Sequence, residues 1–463
     1  MKRRTYLVVV FFIFFYGCDE KKNVLKENAL KITLRKEVGN PKIFDSLYTN
    51  FHFESTYKEH KTFYSKELKS FQGIPSIDTS LLVTRFSDKL RFWYNLYKED
   101  LLEDSTLIKR VETINNPDSI GYQKQIKNKL TIFSGLGEDK QIIIVDTDRD
   151  YNFSDEEILE FNRNFTNNPT KNRGDFENLP LLDYVYEFYD NEKVDVYNRK
   201  IIVYPFKNHP FTDFFEADSL NKKLHVMGKL KDYWKGRLEV SKQTYNILLQ
   251  GFNKKYVQIL IVPDSIELDQ NDYIKNKKFE YFQKDTFSLS DKLFVIEDFS
   301  LKNSELKIKE LENVHPYCGF RENEIIDNLN FTDLKRKEFN LSNARTNKKY
   351  VLLDFWGTWC PPCLETTPLL KDIYANHSNE LEVVGVAYDK NEEVVHEYTS
   401  NNELNWPQAF IKNKDYSKSL LKKLRIQYYP TFLLIDNEDR IIKREIGMEG
   451  LLEIRTFLSK NLK

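Results

Sequence analysis

Cysteine is scarce in this chain: four in 463 residues, at positions 18, 318, 360 and 363. One close pair and an odd remainder exclude a disulfide-stapled scaffold. Histidine is scarce too, with 7 scattered copies and no close pair. With no second C-x-x-C, a four-ligand zinc site lacks its spacing. An excess of one charge is also missing. Basic residues number 70 and acidic residues 71, for a net charge of -1. No long basic tract occurs, so nucleic acid is not an expected partner. Hydrophobic residues reach only 40%, but aromatics are plentiful at 14%, with 34 Phe and 27 Tyr. That much aromatic area builds several cores and excludes wholesale disorder.

The first residues are a separate matter. Lys2, Arg3 and Arg4 precede an apolar stretch, Thr5 to Tyr16, too short to span a bilayer comfortably as a helix. Gly17-Cys18 and a polar run follow. Residues 1–18 resemble a bacterial lipoprotein signal, in which cleavage frees Cys18 for acylation. The alternatives are an uncleaved anchor or ordinary secretion. All three put the rest of the chain outside the cytoplasm. A lipidated Cys18 predicts a cell-envelope protein, periplasm-facing and anchored to a membrane.

Residues 19–30 read as a polar tether. Residues 31–115 read as a helical region, on stretches such as SDKLRFWYNLYKEDLLED. Residues 116–320 turn to short β-branched and aromatic runs such as KQIIIVDTD and KKYVQILIVPD, which predict a β-rich domain. The N-terminal region as a whole is expected to be α+β, partly β-rich, of unknown fold. Over 325–463 strand and helix patterns alternate. VLLDFW, LEVVGVAYD, PTFLLID and RIIKREIG are strands between helical segments, which predicts an α/β layered domain.

Inside that domain lies WGTWCPPC, Trp356 to Cys363. Cys360 follows a strand and opens a helix, where free backbone N–H groups favour a thiolate. The thiolate is the nucleophile of disulfide exchange. Pro361 suits the first helical turn. Cys363 is one turn on, close enough to attack a mixed disulfide on Cys360, so one exposed and one shielded sulfur are expected. A purely structural disulfide closing so short a loop would gain little loop entropy. The P-x-x-x-T-x-x-C pattern of peroxiredoxins is absent, since Leu353 and Gly357 hold its Pro and Thr positions.

WGTWCPPC after VLLDF, with Pro368 and the distant YYPTFLLID, resembles the thioredoxin fold. More narrowly it is similar to the membrane-anchored TlpA/ResA-like thiol–disulfide oxidoreductases, over residues 325–463. The resemblance implies Cys360 as attacking thiol and Cys363 as resolving thiol. It implies a cis-proline at Pro430, with the backbone of Tyr429 pairing to an extended substrate. It makes Asp354 a buried carboxylate that moves the resolving cysteine's proton. Trp356 and Trp359 would flank the site as apolar walls. Thr366 stands where many relatives carry Glu, and Glu365 is one position away on another side of the helix.

DTDRDYNFSDEE, Asp146 to Glu157, resembles an EF-hand calcium loop. Asp146, Asp148, Asp150, Asn152, Ser154 and Glu157 are the candidate ligands, with Phe153 at the apolar position and the helical pattern DEEILEF following. Tyr151 replaces the usual Gly. The competing reading is a solvated acidic turn capping that helix. Cys318 has no partner in sequence.

The expected function is that of a cell-envelope thiol–disulfide oxidoreductase acting on disulfide-bonded exported proteins, without a cofactor for the redox step. Reduction, fed by a membrane electron donor, is favoured over oxidation or isomerisation; cytochrome c maturation is a family association. The alternative is a binding lipoprotein whose N-terminal domain captures a ligand or protein, with the thioredoxin domain accessory.

Overall fold

Alternation governs the first two thirds of the chain. In the strand Asp232–Val240 (DYWKGRLEV) every second residue is buried, as in a sheet with one face on a core. The computed structural model of the chain describes residues 29–39, 44, 50–52, 71–87, 89–102, 104–113, 126–163, 165, 178–190, 193–206, 223–253, 256–269, 276–290, 292–311, 319–413 and 420–462. Cys18 with the signal segment, most of the tether, and Cys318 lie outside them.

Described residues 29–311 form four antiparallel sheets. One orders Ala29–Thr33, Glu305–Leu311, Lys292–Ser300 and Thr286–Leu289. A second orders Asn50–His52, Val226–Leu230, Lys193–Pro205 and Leu182–Asp190. A third runs Glu280–Tyr281, Tyr256–Pro263, Gln243–Asn253, Asp232–Val240 and Arg35–Val38. The fourth runs Ser80–Phe86, Lys129–Leu136, Lys140–Val145 and Ile158–Asn162. One core threads all four and contains Ile32, Phe51, Val83, Tyr184, Ile247 and Ile308.

Two expectations are corrected here. The described part of residues 31–115 is not wholly helical. Helices occupy Lys89–Lys98 and Ser105–Glu112, and the other described elements are strands. Local amphipathicity gives no sign that 29–33 pairs with 305–309, or 35–38 with 232–235. The helix expected after the acidic loop is also a strand, Ile158–Asn162, paired with Lys140–Val145. Its residues alternate, with Leu159 and Phe161 buried. The acidic start imitated a helix N-terminus, but period 2 prevailed.

The central sheet and main helices of the C-terminal region are β1 (Tyr350–Trp356), α1 (Pro361–His377), β2 (Leu381–Asp389), α2 (Glu392–Asn401), β3 (Gln408–Lys412), β4 (Thr431–Asp436), β5 (Ile441–Ile446) and α3 (Gly447–Asn461). The sheet order is β3-β2-β1-β4-β5. β1 is parallel to β2 and antiparallel to β4. Every residue of β1 is buried, which explains its unbroken apolar run around one Asp. Tyr350 and Leu352 meet α1 and α3 through Leu370, Ile373, Leu451 and Ile454. Val351, Leu353 and Phe355 meet the opposite layer through Ile326, Phe331 and Leu421. β3 carries no strand expectation from the sequence; its short run, QAFIK, is an edge strand.

A clasp of charge joins the two halves. Asp285 of the N-terminal region bonds Arg321 at 3.0 Å and also bonds Arg425. The Phe320 ring lies under the guanidiniums of Arg321, Arg425 and Arg444 at 4.3, 4.9 and 5.6 Å. Asp285 and Arg321 are buried, so each depends on the other for compensation. Asp285→Ala is expected to lower stability by about 3 kcal/mol, read as a lower urea midpoint of the full chain. An unchanged midpoint would show that the clasp adds nothing.

Candidate active site

Strand β1 delivers the chain to a turn, Gly357–Trp359, that opens α1. Cys360 is the N-cap residue, and the backbone N–H of Cys363 donates to its Sγ at 3.3 Å. Pro361 and Pro362 fill the first helical positions, where a missing N–H costs no hydrogen bond. That N–H and the positive end of α1 favour negative charge on the Cys360 sulfur once reduced. Here Cys360 and Cys363 are joined as a disulfide, with Cα atoms 5.3 Å apart. The expected contrast of exposed and shielded cysteine is corrected for this oxidised state. The two residues are 4% and 3% exposed. The bond ties both into a cluster with Trp356, Ala387 and Val395.

The turn is held from β2. Trp356 sits opposite Ala387 in the parallel register, so both strands end at one level. Asp389 Oδ2 accepts the Thr358 N–H at 2.8 Å and its hydroxyl at 2.7 Å. The indole N–H of Trp359 donates to Tyr388 O at 2.7 Å. A Cβ on Gly357 would lie 2.5 Å from that indole nitrogen and 2.7 Å from Tyr388 O, so only glycine allows this approach. Asp389, Thr358 and Tyr388 were missed by motif reading. The signal was the acidic end of LEVVGVAYD, level with WGT only once the strands are paired.

The two tryptophans differ. Trp356 is buried, donates to Gln408 Oε1 at 3.2 Å and packs on Tyr398. Trp359 is 49% exposed and meets Tyr429 edge-on at 5.3 Å. Tyr429 stacks on Tyr388 at 5.8 Å and packs against the cysteine cluster. The Tyr429–Pro430 peptide is cis. Pro430 O accepts the Gly447 N–H at 3.0 Å. Thr366 is buried, its hydroxyl on Cys363 O at 2.7 Å, while Glu365 faces solvent.

Asp354 lies in the middle of β1, opposite Gly385 and Phe432. Alternation puts it on the Tyr350–Leu352 face, toward α1. Its Oδ1 is buried without a hydrogen-bond partner. Burial pushes its carboxyl up to about 8.

The acidic loop gathers only part of its expected set. Carboxylate oxygens of Asp146, Asp148 and Asp150 lie within 4.8 Å of one another. Burial, then Glu156, pushes the Asp146 carboxyl up to about 6. Asn152 Oδ1 accepts from the Ser154 N–H and hydroxyl, so these two satisfy each other. Glu157 is exposed and outside the cluster; Glu156 turns inward to the Thr147 N–H and hydroxyl. Tyr151 takes the left-handed conformation, φ +69°, in place of glycine. Phe153 is buried with Phe133 and Ile144.

A dithiol at the start of a helix, on a β3-β2-β1-β4-β5 sheet with a proline loop beside it, defines a thioredoxin-like redox domain. Residues 347–441 match the family model described as thioredoxin-like. This C-terminal region is homologous to the ResA/TlpA-like thiol–disulfide oxidoreductases. ResA of Bacillus cereus is 27% identical over 134 residues, covering 29% of this chain and 74% of the relative. The thioredoxin-like protein YneN of Bacillus subtilis is 27% identical over 135 residues, covering 28% and 74%. Among solved structures, the thioredoxin domain of a thiol-disulfide oxidoreductase from Bacteroides vulgatus aligns at 24% identity and a TM-score of 0.28, covering 31% of this chain and 98% of its own.

Because the folded state holds a proton on Asp354 that the unfolded chain releases near pH 4, stability falls as pH rises from about 4 toward 8. Asp354→Asn mimics the protonated form. It is expected to match the parent's melting temperature near pH 4 and exceed it by roughly 3 °C or more at pH 8. A constant difference across that range would refute the burial of an ionisable Asp354.

Proposed function

We propose that this chain is a cell-envelope thiol–disulfide oxidoreductase that reduces disulfides of exported polypeptides. The observation that carries the reading is Cys360 at the N-cap of α1, with Cys363 bonded to it in the same turn. The Cys360 thiolate attacks one sulfur of the substrate disulfide and expels the other as a thiolate. Cys363, giving its proton to the ionised fraction of Asp354, which grows as pH approaches 8, attacks Cys360 Sγ. That releases the second substrate thiolate and leaves the Cys360–Cys363 disulfide seen here. The protein loses two electrons and the substrate gains two. A membrane electron donor restores the dithiol. Pro430 and Tyr429 edge the path along which the substrate lies, with Trp359 as its exposed apolar wall. Lipidation at Cys18 supplies the membrane anchor, supported by the Gly17-Cys18 sequence after a basic and apolar leader. No helix of the described residues is long and apolar enough to cross a membrane.

Reduced full chain is expected to cleave insulin disulfides, and Cys360→Ser to lose that activity entirely. Cys363→Ala is expected to accumulate mixed disulfides with envelope proteins. If it traps none, while a variant lacking both cysteines still rescues a deletion, the chain is instead a binding lipoprotein.

We also propose a structural calcium site on Asp146, Asp148 and Asp150. Their convergent oxygens support it, since a divalent cation relieves the repulsion of three clustered carboxylates. Isothermal titration should show calcium uptake by the full chain and none by Asp148→Asn/Asp150→Asn. No heat and no melting shift at millimolar calcium would sink the site.

A further inference from the structure

A cavity of about 380 Å³ lies where the N-terminal region meets the thioredoxin-like domain, a volume that admits a large side chain. One wall is Tyr428 and Tyr429, in the loop that leads to Pro430. Another is the 3₁₀ turn Lys277–Phe279 of the N-terminal region, and the floor is β5 with the first turn of α3. Tyr429 touches this cavity, Trp359 and the cysteine cluster, so the cavity adjoins the site. Met448 at the rim is 38% exposed.

The charges around the cavity are unevenly satisfied. Lys277 is held by Glu280 at 3.2 Å and lies over Tyr428. Arg321 and Arg425 are both taken by Asp285. Arg444 donates to the carbonyls of Phe320 and Arg425. Of the acids opposite, Glu445 is less well served. Glu445 sits under the first turn of α3, so close that a Cβ on Gly450 would meet its Cβ at 2.7 Å. Its Oε1 is buried, receives no hydrogen bond and lies 3.8 Å from Lys443 Nζ. Glu322, whose Oε1 accepts the Arg444 backbone N–H at 3.0 Å, lines the same side with Glu449 and Glu453.

We propose that this cavity is a substrate subsite that takes a basic side chain, arginine or lysine, from the polypeptide undergoing disulfide exchange. The inference rests on the thiol-exchange reading above and adds the substrate's chemistry to it. Glu445 and Glu453 receive the cation, and the N-terminal region closes the pocket with Lys277, Lys278 and Phe282. The field at Glu445 agrees in sign. Burial, then Glu453 and Glu322, push its carboxyl up to about 7, against the opposing pull of Lys278 and Lys443. Bound cation and proton therefore compete for the same oxygens near neutral pH. Arg321, Arg425 and Arg444 face this field from the far wall; Arg425 is held by Asp285 and Arg444 by carbonyls, while Arg321 is bonded through Nη2 and its buried Nη1 has no partner.

The test uses the full chain, reduced beforehand, in single turnovers with synthetic disulfide peptides. Arginine, its neutral isostere citrulline, or glutamate is scanned along the positions flanking the cysteine. At the best position the arginine peptide is expected to react about five- to tenfold faster than the citrulline peptide at pH 8, the scale of one partly buried ion pair. That ratio should shrink as pH falls to 6, whereas the thiolate's own pH dependence cancels in it. In E445Q/E453Q the ratio should approach one, and Lys278→Ala should widen it. Equal rates for arginine and citrulline, or a faster glutamate peptide, overturn the subsite while leaving thiol exchange standing. If no peptide reacts, the exchange reading fails and takes the subsite with it.

Discussion

The reactive turn has no rigidity of its own; it borrows it from the level ends of two parallel strands. Asp389, the last residue of β2, accepts two hydrogen bonds from Thr358, the middle residue of the turn after β1. Because β1 and β2 are in parallel register, that carboxylate arrives at the height of the turn without a long reach. Cys360 is then fixed as the N-cap, and Trp359 is drawn to Tyr388. The indole, Tyr388 and Tyr429 form a contiguous aromatic face beside the disulfide. If the strands were offset by one residue, the N–H groups at the start of α1 would no longer converge on the cysteine.

The second constraint is where the N-terminal region docks. Asp285 reaches two arginines of the C-terminal half, and Phe320 is packed among three guanidiniums. This contact is more polar than a typical core and more buried than a surface ion pair, so its geometry is specific and intolerant of losing one partner. It sets the 3₁₀ turn at 277–279 beside the proline loop. The large N-terminal region thereby adjoins the loop of Tyr428 and Tyr429 beside the cysteine cluster.

The C-terminal fold was legible because its signals are local. An unbroken apolar strand, C-P-P-C at a helix start and a YYP before a strand each carry their meaning within a few residues. The N-terminal region was harder because its meaning is in pairing. Ala29–Thr33 is an ordinary short alternating run until it is set against Glu305–Leu311. The acidic loop shows the same divide. Three aspartates at alternate positions were readable and do converge, whereas Glu157 depended on a following helix that is a strand. Asp389 and Thr358 were invisible to motif reading for the same reason, since neither is unusual in its own segment. Exposure misled as well. Both cysteines of the disulfide are buried, and no local pattern reports an oxidation state.

The union of Ala29–Thr33 with Glu305–Leu311 also orders events as the chain is made. The first described strand has no partner until nearly the whole N-terminal region has emerged, so its contacts are among the most distant in sequence and the slowest to form. The thioredoxin-like sheet follows afterwards, built from neighbours close along the chain. On that ordering, a nascent chain presents an unfinished β-sheet edge for most of its synthesis and acquires its reactive dithiol last. Delayed arrival of the thiols limits how long they coexist with unfolded polypeptide of the same molecule.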